Sequence, residues 1–201
     1  MSSPTMGEVI NIDGKKIKVR DYIFTWSNFI SFTRILVVVP IIWLHIENGY
    51  ETNGWIIALI LYGGLSDYLD GLVARWRDEI SELGKILDPI ADKLMAFFLF
   101  LYTVLLGWIP LWYFILGVTR DLLIMAGSAH IKQKRGKVAM SIMSGKISVN
   151  VMGLYWISVF FFPEAKTVQT FLMVGSALIM IVSFIEYKRR YYKIINGAEF
   201  N

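Results

Sequence analysis

The chain of 201 residues contains no cysteine and little charge, since only 18% of its residues are Asp, Glu, Lys or Arg. Without cysteine, neither a disulfide framework nor a thiolate site is possible. Histidine is nearly as scarce. His45 and His130 each lie near the end of an apolar run, where an interfacial position is expected. Hydrophobic residues make up 56% of the chain, which is typical of an integral membrane protein rather than a water-soluble domain.

Long apolar runs predict an all-α integral membrane fold with six transmembrane helices. Ahead of them, residues 15–25 are predicted to form an amphipathic helix at the membrane interface, because Val19, Tyr22, Ile23 and Trp26 recur at helical spacing. The first 14 residues form a polar lead without the apolar core of a signal peptide. The predicted spans are about 26–46, 54–76, 86–106, 109–130, 142–162 and 167–187. The predicted organisation is therefore a lead (1–14), an interfacial helix (15–25), a six-span domain (26–190) and a tail (191–201).

Basic residues cluster at alternate ends of the predicted spans. Four lie before the first span, and further groups follow the second, fourth and sixth spans, whereas the other three joints contribute only Lys166. By the positive-inside rule, both termini and the joint after the second span face the cytoplasm.

Four aspartates lie around that joint, two at the end of the second span and two at the start of the third: Asp67, Asp70, Asp88 and Asp92. On helices, the three-residue and four-residue spacings place each pair on one face. Carboxylates at membrane depth are costly and usually functional. Four brought together would repel one another unless divalent cations lay between them, and oxygen ligands favour Mg²⁺, Mn²⁺ or Ca²⁺ over zinc.

The aspartates are part of a longer pattern, Asp-x2-Asp-Gly-x2-Ala-Arg-x8-Gly-x3-Asp-x3-Asp, which also includes Gly71, Ala74, Arg75 and Gly84. This pattern resembles the signature of the CDP-alcohol phosphatidyltransferases, integral membrane enzymes of phospholipid synthesis. Eight residue types at fixed spacing make the signal very specific. The resemblance implies an enzyme that transfers a phosphatidyl group from CDP-diacylglycerol to an alcohol and releases CMP.

The same resemblance assigns roles to the motif residues. It implies that Asp67, Asp70 and Asp88 are the principal ligands of two divalent cations, Mg²⁺ or Mn²⁺. Asp92 is similar to the residue proposed as the general base of the family. The resemblance also implies a contact between Asp92 and the second metal. The residues implied to bind the CDP donor are Asp70, Gly71, Ala74, Arg75 and Gly84. The small residues among them let the nucleotide approach the helix backbones, although close helix packing is the alternative explanation for small residues in membranes.

A second set of residues concerns the acceptor alcohol. Arg34 lies in the first predicted span, Arg120 in the fourth and Lys146 at the start of the fifth. Arg120-Asp121 and Gly145-Lys146 resemble features of family members that make phosphatidylglycerophosphate, which implies glycerol 3-phosphate as acceptor. Alternative roles are an ion pair of Arg120 with Asp121 and an interfacial position for Lys146. Arg34 could join the acceptor site or instead hold the metal site together.

Other functions remain open from the sequence. Within the family, the acceptor could be phosphatidylglycerol, as in cardiolipin synthesis, or inositol phosphate or serine. A UbiA-like prenyltransferase also uses intramembrane aspartates and Mg²⁺, but its two motifs lie far apart in sequence. A transporter would not need the Gly, Ala and Arg between the aspartates. The resemblance further implies a homodimer among membrane lipids in a bacterial cytoplasmic membrane, an active site on the cytoplasmic side and no nucleic-acid partner.

Overall fold

The computed structural model describes residues 7–10, 16–19, 26–77, 84–135 and 142–196. These contain a two-stranded sheet, β1 (Gly7–Ile10) and β2 (Lys16–Val19), followed by seven helices. The helices are α1 (Trp26–Leu36), α2 (Val38–Glu47), α3 (Gly54–Arg77), α4 (Gly84–Leu105), α5 (Leu111–Arg135), α6 (Met143–Phe161) and α7 (Lys166–Ile195). The predicted helices are confirmed in order and, for the most part, to within a few residues.

The predicted interfacial helix is wrong where the structure describes it, because Lys16–Val19 is a strand rather than a helix. β2 pairs antiparallel with β1, with Gly7 opposite Val19 and Ile10 opposite Lys16. The physical reason is visible in the sequence Lys-Ile-Lys-Val, which alternates polar and apolar residues with the period of a strand. The other residues of the 15–25 prediction lie outside the described part of the chain. The fold is therefore mainly helical rather than all-α.

The first predicted span is interrupted at Val37, between α1 and α2. Pro40 lacks the backbone N–H that would bond to the carbonyl of Leu36, and its ring crowds that same carbonyl. The backbone of Val37 nevertheless stays helical, with φ −63° and ψ −20°. The chain therefore continues in the same direction through a local break.

Two of the described helices, Leu111–Ile131 within α5 and Lys166–Ile195, are long and apolar enough to cross a membrane. Shorter apolar stretches occur at Gly54–Ser66 and Lys93–Leu105. Many large apolar side chains point outward, including Trp55, Leu105 and Phe171, each at least 75% exposed. Such a surface is suited to lipid rather than water. The six-span topology and its orientation stay predictions.

The chain divides into two compact units, Met1–Tyr102 and Thr103–Asn201. In the first unit, α3 packs against α1 and α2. Buried apolar side chains fill its interior, among them Val38, Ile41, Ile56, Met95 and Leu99. His45 is fully buried there, and its Nδ1 lies 2.8 Å from the hydroxyl of Tyr102. A tyrosine on α4 therefore supplies a polar partner for His45 inside the unit, and the interfacial position of His45 stays a prediction.

In the second unit, α7 packs against both α5 and α6. The α5–α7 seam repeats every seven residues: Tyr113 Oη lies 2.7 Å from Ser176 Oγ, and Arg120 bonds to Ser183. Because the two pairs advance together along the chain, α5 and α7 run parallel. A seven-residue repeat keeps two helices in contact over several turns. This seam holds Arg120 against α7.

Candidate active site

The motif residues all lie on helices, as their spacing requires. Residues 67–75 of the motif are part of α3, and Gly84, Asp88 and Asp92 are part of α4. The side chains of the eight motif residues lie outside the described part of the structure. Their roles in metal binding, donor binding and proton transfer therefore stay predictions. Among the side chains that are described, no three His, Asp or Glu residues approach closely enough to hold a metal ion.

A close contact brings α3 and α4 together beside the aspartates. The thioether of Met95 on α4 occupies the space that a Cβ at Gly63 on α3 would need, and Gly63 is buried. A contact so far from the connection 78–83 requires the two helices to run antiparallel, as helices joined by short loops do. Gly63 and Met95 thus form a described contact between the two helices that carry the motif.

The four aspartates are spaced regularly from described buried residues of these two helices. On α3, Gly63 and Ser66 are buried, and Asp67 and Asp70 each follow one of them by four residues. Residues three or four apart share a helix face.

The same relation holds on α4. Ala91 and Met95 are buried, and Asp88 and Asp92 each precede one of them by three residues. Helical spacing thus predicts that the two aspartates of each helix share a face with its buried residues.

Arg34 ties α1 to this part of α3. Its side chain is fully buried, and its Nε donates a hydrogen bond of 2.8 Å to Ser66 Oγ. Ser66 in turn donates to the carbonyl of Gly63 at 2.9 Å. Arg34 therefore fixes α1 against α3 at the residue directly before Asp67. Of the two roles considered for Arg34, this contact favours holding the aspartate region in place.

Arg120 is the centre of a polar cluster in the second unit. It is 6% exposed, and its Nη1 forms an ion pair of 2.8 Å with Asp121 Oδ1. Its Nε and Nη2 donate to Ser183 Oγ at 3.2 and 2.9 Å. The ion pair considered from the sequence is present, and α7 adds a second anchor that the sequence had not indicated.

The first turn of α6 lies next to this cluster. A Cβ at Gly145 would lie 3.0 Å from Tyr187 Cε2 and 3.5 Å from Arg120 Nη2. The backbone N–H of Ile142 donates to Tyr187 Oη at 3.3 Å, and Ser144 donates to Glu186. A Cβ at this position would crowd Tyr187, whereas its distance to Arg120 would be an ordinary van der Waals contact. Lys146 belongs to the same turn and is exposed.

The structure thus brings the Gly145-Lys146 turn to Arg120, while Arg34 lies in the other unit with α3. Four contacting residues were missed from the sequence: Ser66, Ser183, Glu186 and Tyr187. The serines carried one weak signal, since each is a polar residue within an apolar helical stretch, where a hydroxyl usually has a partner.

A family model described as CDP-alcohol phosphatidyltransferase matches residues 24–182. The chain belongs to this family. The family predicted from the aspartate spacing is therefore confirmed, and the matched range includes every predicted site residue.

Curated relatives of this phosphatidyltransferase carry two kinds of name. A "Cardiolipin synthase (CMP-forming)" of Streptomyces coelicolor is 33% identical over 136 residues, covering 63% of this chain and 60% of that protein. A "Putative cardiolipin synthase" of Mycobacterium tuberculosis is 29% identical over 126 residues, covering 63% and 59%. The chain thus spans about three fifths of the length of these first relatives.

A relative with the other kind of name matches over more of its length. It is the "CDP-diacylglycerol--glycerol-3-phosphate 3-phosphatidyltransferase" of Aquifex aeolicus, 28% identical over 178 residues, covering 84% of this chain and 96% of that protein. Similarity to both kinds leaves the acceptor to be argued from the residues.

The contact between Gly63 and Met95 gives a testable consequence. We expect Gly63→Leu to push Met95 away, separate the aspartate-bearing helices and lower CMP release at least about tenfold, because misplacing catalytic groups by an ångström is costly. Overpacking also costs stability, typically about 1–3 kcal/mol. Initial rates of CMP release and the thermal unfolding midpoint measure the two effects.

Gly64 offers a matched control, since a Cβ there would meet nothing within 4 Å. Gly64→Leu should therefore leave both measurements nearly unchanged. Equal effects of the two substitutions would contradict the assigned packing.

Proposed function

We propose that the protein transfers a phosphatidyl group from CDP-diacylglycerol to glycerol 3-phosphate, releasing CMP and forming phosphatidylglycerophosphate. The observation that supports the transferase reaction is the spacing of the four aspartates, two in α3 and two in α4, in a member of this family. In this reaction the acceptor hydroxyl oxygen forms a bond to the phosphorus that bears diacylglycerol. The bond from that phosphorus to the oxygen of CMP breaks.

The four aspartates have two proposed roles, which are binding of the cations and transfer of the acceptor proton. Asp67, Asp70 and Asp88 would hold two divalent cations, Mg²⁺ or Mn²⁺, for which a set of carboxylate oxygens is suited. When bound, the cations neutralise the diphosphate and stabilise the CMP phosphate as it leaves. Asp92 would take the proton from the attacking hydroxyl and would also help to hold the second cation. Asp70, Gly71, Ala74, Arg75 and Gly84 bind the CDP part of the donor.

Arg120 supports glycerol 3-phosphate as the acceptor. This small dianion must be held near carboxylates that repel it, which requires fixed cationic groups. Arg120 is nearly buried and is held by Asp121 on α5 and Ser183 on α7, so its guanidinium is fixed before the acceptor arrives. Lys146, in the adjoining turn, adds a flexible second cation. The near full-length match to the Aquifex protein supports the same acceptor.

The second candidate acceptor is phosphatidylglycerol, which would make the protein a cardiolipin synthase. The higher identity to the Streptomyces protein, 33%, favours this candidate. Phosphatidylglycerol carries only one phosphodiester charge, and it is anchored by its own acyl chains. It therefore needs a basic clamp less than glycerol 3-phosphate does, and the anchored Arg120 favours the smaller acceptor.

The acceptor assignment predicts a selective kinetic defect. We expect Arg120→Ala to raise the acceptor KM with little change in the donor KM, because a charge-assisted contact of about 1.5–3 kcal/mol is lost. This corresponds to a loss of roughly tenfold to a hundredfold in kcat/KM for the acceptor. Lys146→Ala should act in the same direction but less strongly, because an exposed charge is screened. Steady-state CMP release with each substrate varied in turn measures both constants.

Lys166→Ala is the matched control. Lys166 is an exposed lysine at the start of α7, at the end of the unit's helices opposite to Arg120 and Lys146. It should leave both constants unchanged. If both Arg120→Ala and Lys146→Ala keep the wild-type acceptor KM, these two residues do not bind the acceptor phosphate.

An acceptor panel on the purified protein tests the function as a whole. CDP-diacylglycerol is supplied with glycerol 3-phosphate, phosphatidylglycerol, inositol phosphate or serine, with and without Mg²⁺ or Mn²⁺, and released CMP is measured. We expect metal-dependent release that is fastest with glycerol 3-phosphate. Faster release with phosphatidylglycerol would establish the second candidate, and no release with any acceptor would refute the transferase proposal. We also propose that the protein forms a homodimer in a bacterial cytoplasmic membrane.

A further inference from the structure

Ser183 holds Arg120 in a way that uses every bonding position of its hydroxyl. The side chain of Ser183 is fully buried. Its Oγ donates to the carbonyl of Met180, one turn back on α7, at 3.2 Å. The same oxygen accepts from Nε and Nη2 of Arg120 at 3.2 and 2.9 Å. A hydroxyl has one proton and two lone pairs, so its bonding capacity is filled.

The bond to Met180 sets the direction of the lone pairs. Because the proton of Ser183 is committed to a helix carbonyl, both lone pairs face the guanidinium on α5. Two N–H bonds that converge on one oxygen restrict the rotation of that guanidinium more than a single bond would. Asp121 then holds Nη1 from the side, at 2.8 Å.

The contacts within the described part of the chain engage three of the five N–H groups of Arg120. One N–H remains on each terminal nitrogen. Nη2 lies 3.5 Å from the position that a Cβ at Gly145 would occupy, at the first turn of α6. An arginine held in this manner presents two N–H groups in one plane, which matches two oxygens of a phosphate.

From this geometry we infer that Ser183 is a positioning residue, which orients Arg120 toward the phosphate of the acceptor. The inference rests on the proposed function, since it assigns the orientation of the group that binds the acceptor there. Ser183 itself contacts no substrate. Its effect passes entirely through Arg120.

The chain contains a comparator with the same local structure. Ser176 lies seven residues earlier on α7, is fully buried, and donates to the carbonyl of Met173 at 3.0 Å. Its hydroxyl lies 2.7 Å from Tyr113, also seven residues before Arg120. Removing either serine hydroxyl costs a buried hydrogen bond between α5 and α7. Only the loss at Ser183 frees Arg120.

The experiment measures the KM of glycerol 3-phosphate and of CDP-diacylglycerol by CMP release from the purified full chain. We expect Ser183→Ala to raise the acceptor KM roughly threefold to tenfold, because one charged hydrogen-bond anchor is lost while Asp121 remains. The donor KM should stay within about twofold of wild type. Ser183→Thr keeps the hydroxyl and its bond to the preceding turn, so it should restore the acceptor KM.

Two further variants separate positioning from a general structural role. Ser176→Ala should lower thermal stability to a similar extent as Ser183→Ala but leave the acceptor KM unchanged. In an Arg120→Gln background, Ser183→Ala should raise the acceptor KM no further, because a double-mutant cycle reveals that the two residues act together.

The inference is overturned if Ser183→Ala keeps a wild-type acceptor KM while Arg120→Gln raises it. It is also overturned if Ser176→Ala raises the acceptor KM as much as Ser183→Ala does. These outcomes leave the proposed function standing. By contrast, absence of CMP release from the wild-type chain with every acceptor would refute the proposed function and, with it, the role of Ser183.

Discussion

Asparagine at Asp67, Asp70 or Asp88 is expected to abolish most CMP release, lowering turnover at least about a hundredfold at each position. The substitution keeps the shape of the side chain but removes one negative charge and one anionic oxygen ligand. A diphosphate donor brings more negative charge to the site, so its binding depends on cations that those carboxylates hold. The measurement is the initial rate of CMP release from CDP-diacylglycerol as Mg²⁺ or Mn²⁺ is raised to saturation.

Glu164→Gln controls for the loss of an acidic charge elsewhere, because Glu164 is an exposed acid in the connection between α6 and α7. It should retain full activity. Each Asp→Asn variant should also unfold at a temperature no lower than that of the wild type, because one of the mutually repelling carboxylate charges has been removed. Near-normal turnover of any of the three at saturating metal would show that the assigned ligand is wrong.

The aspartate motif could be predicted from sequence because its chemistry fixes residue types at fixed spacing. Metal ligands admit few substitutions, and helical spacing then determines which residues share a face. Family membership follows from the same pattern and is confirmed. The helix positions could be predicted for a related reason, since long apolar runs end at polar or glycine-bearing joints. Gly107, with φ +74°, is such a joint after α4.

Two elements could not be predicted from the sequence, β2 and the break at Val37, because local features there oppose the predicted helix. The segment before the first span carries both a helical and a strand pattern, and in the four residues of β2 the strand pattern prevails because β1 provides a partner. The break at Val37 depends on Pro40 three residues later, within the apolar run of residues 35–44. Neither feature changes the hydrophobicity from which spans are predicted.

Partners within the helical units could not be predicted, because a helix that is apolar on all sides does not reveal which face packs. α6 illustrates this: its apolar residues surround the whole helix, yet Gly145 and Ser148 are buried. The hydroxyl partners of Arg34 and Arg120 lie 32 and 63 residues away in sequence. Only the packed helices show that Ser66 and Ser183 meet these arginines.

Asp92→Asn should separate donor binding from chemistry. If Asp92 accepts the proton of the attacking hydroxyl, its amide replacement cannot do so, and turnover should fall roughly a hundredfold to ten-thousandfold. Asp67, Asp70 and Asp88 remain in this variant, so CDP-diacylglycerol should still bind in the presence of Mg²⁺ or Mn²⁺. The measurements are kcat from CMP release and the dissociation constant of the donor by equilibrium binding to the purified variant.

The expected pattern is a low kcat with a donor dissociation constant within about threefold of wild type, because the lost interaction acts mainly in the transition state. Asp88→Asn is the matched comparison, since Asp88 lies four residues earlier on α4 and its loss should weaken metal-dependent donor binding itself. A general base must also make the rate depend on pH, so the rising limb of the wild-type pH–rate profile should be absent in Asp92→Asn. If Asp92→Asn fails to bind the donor, as Asp88→Asn should, then Asp92 is chiefly a metal ligand and the proton goes elsewhere.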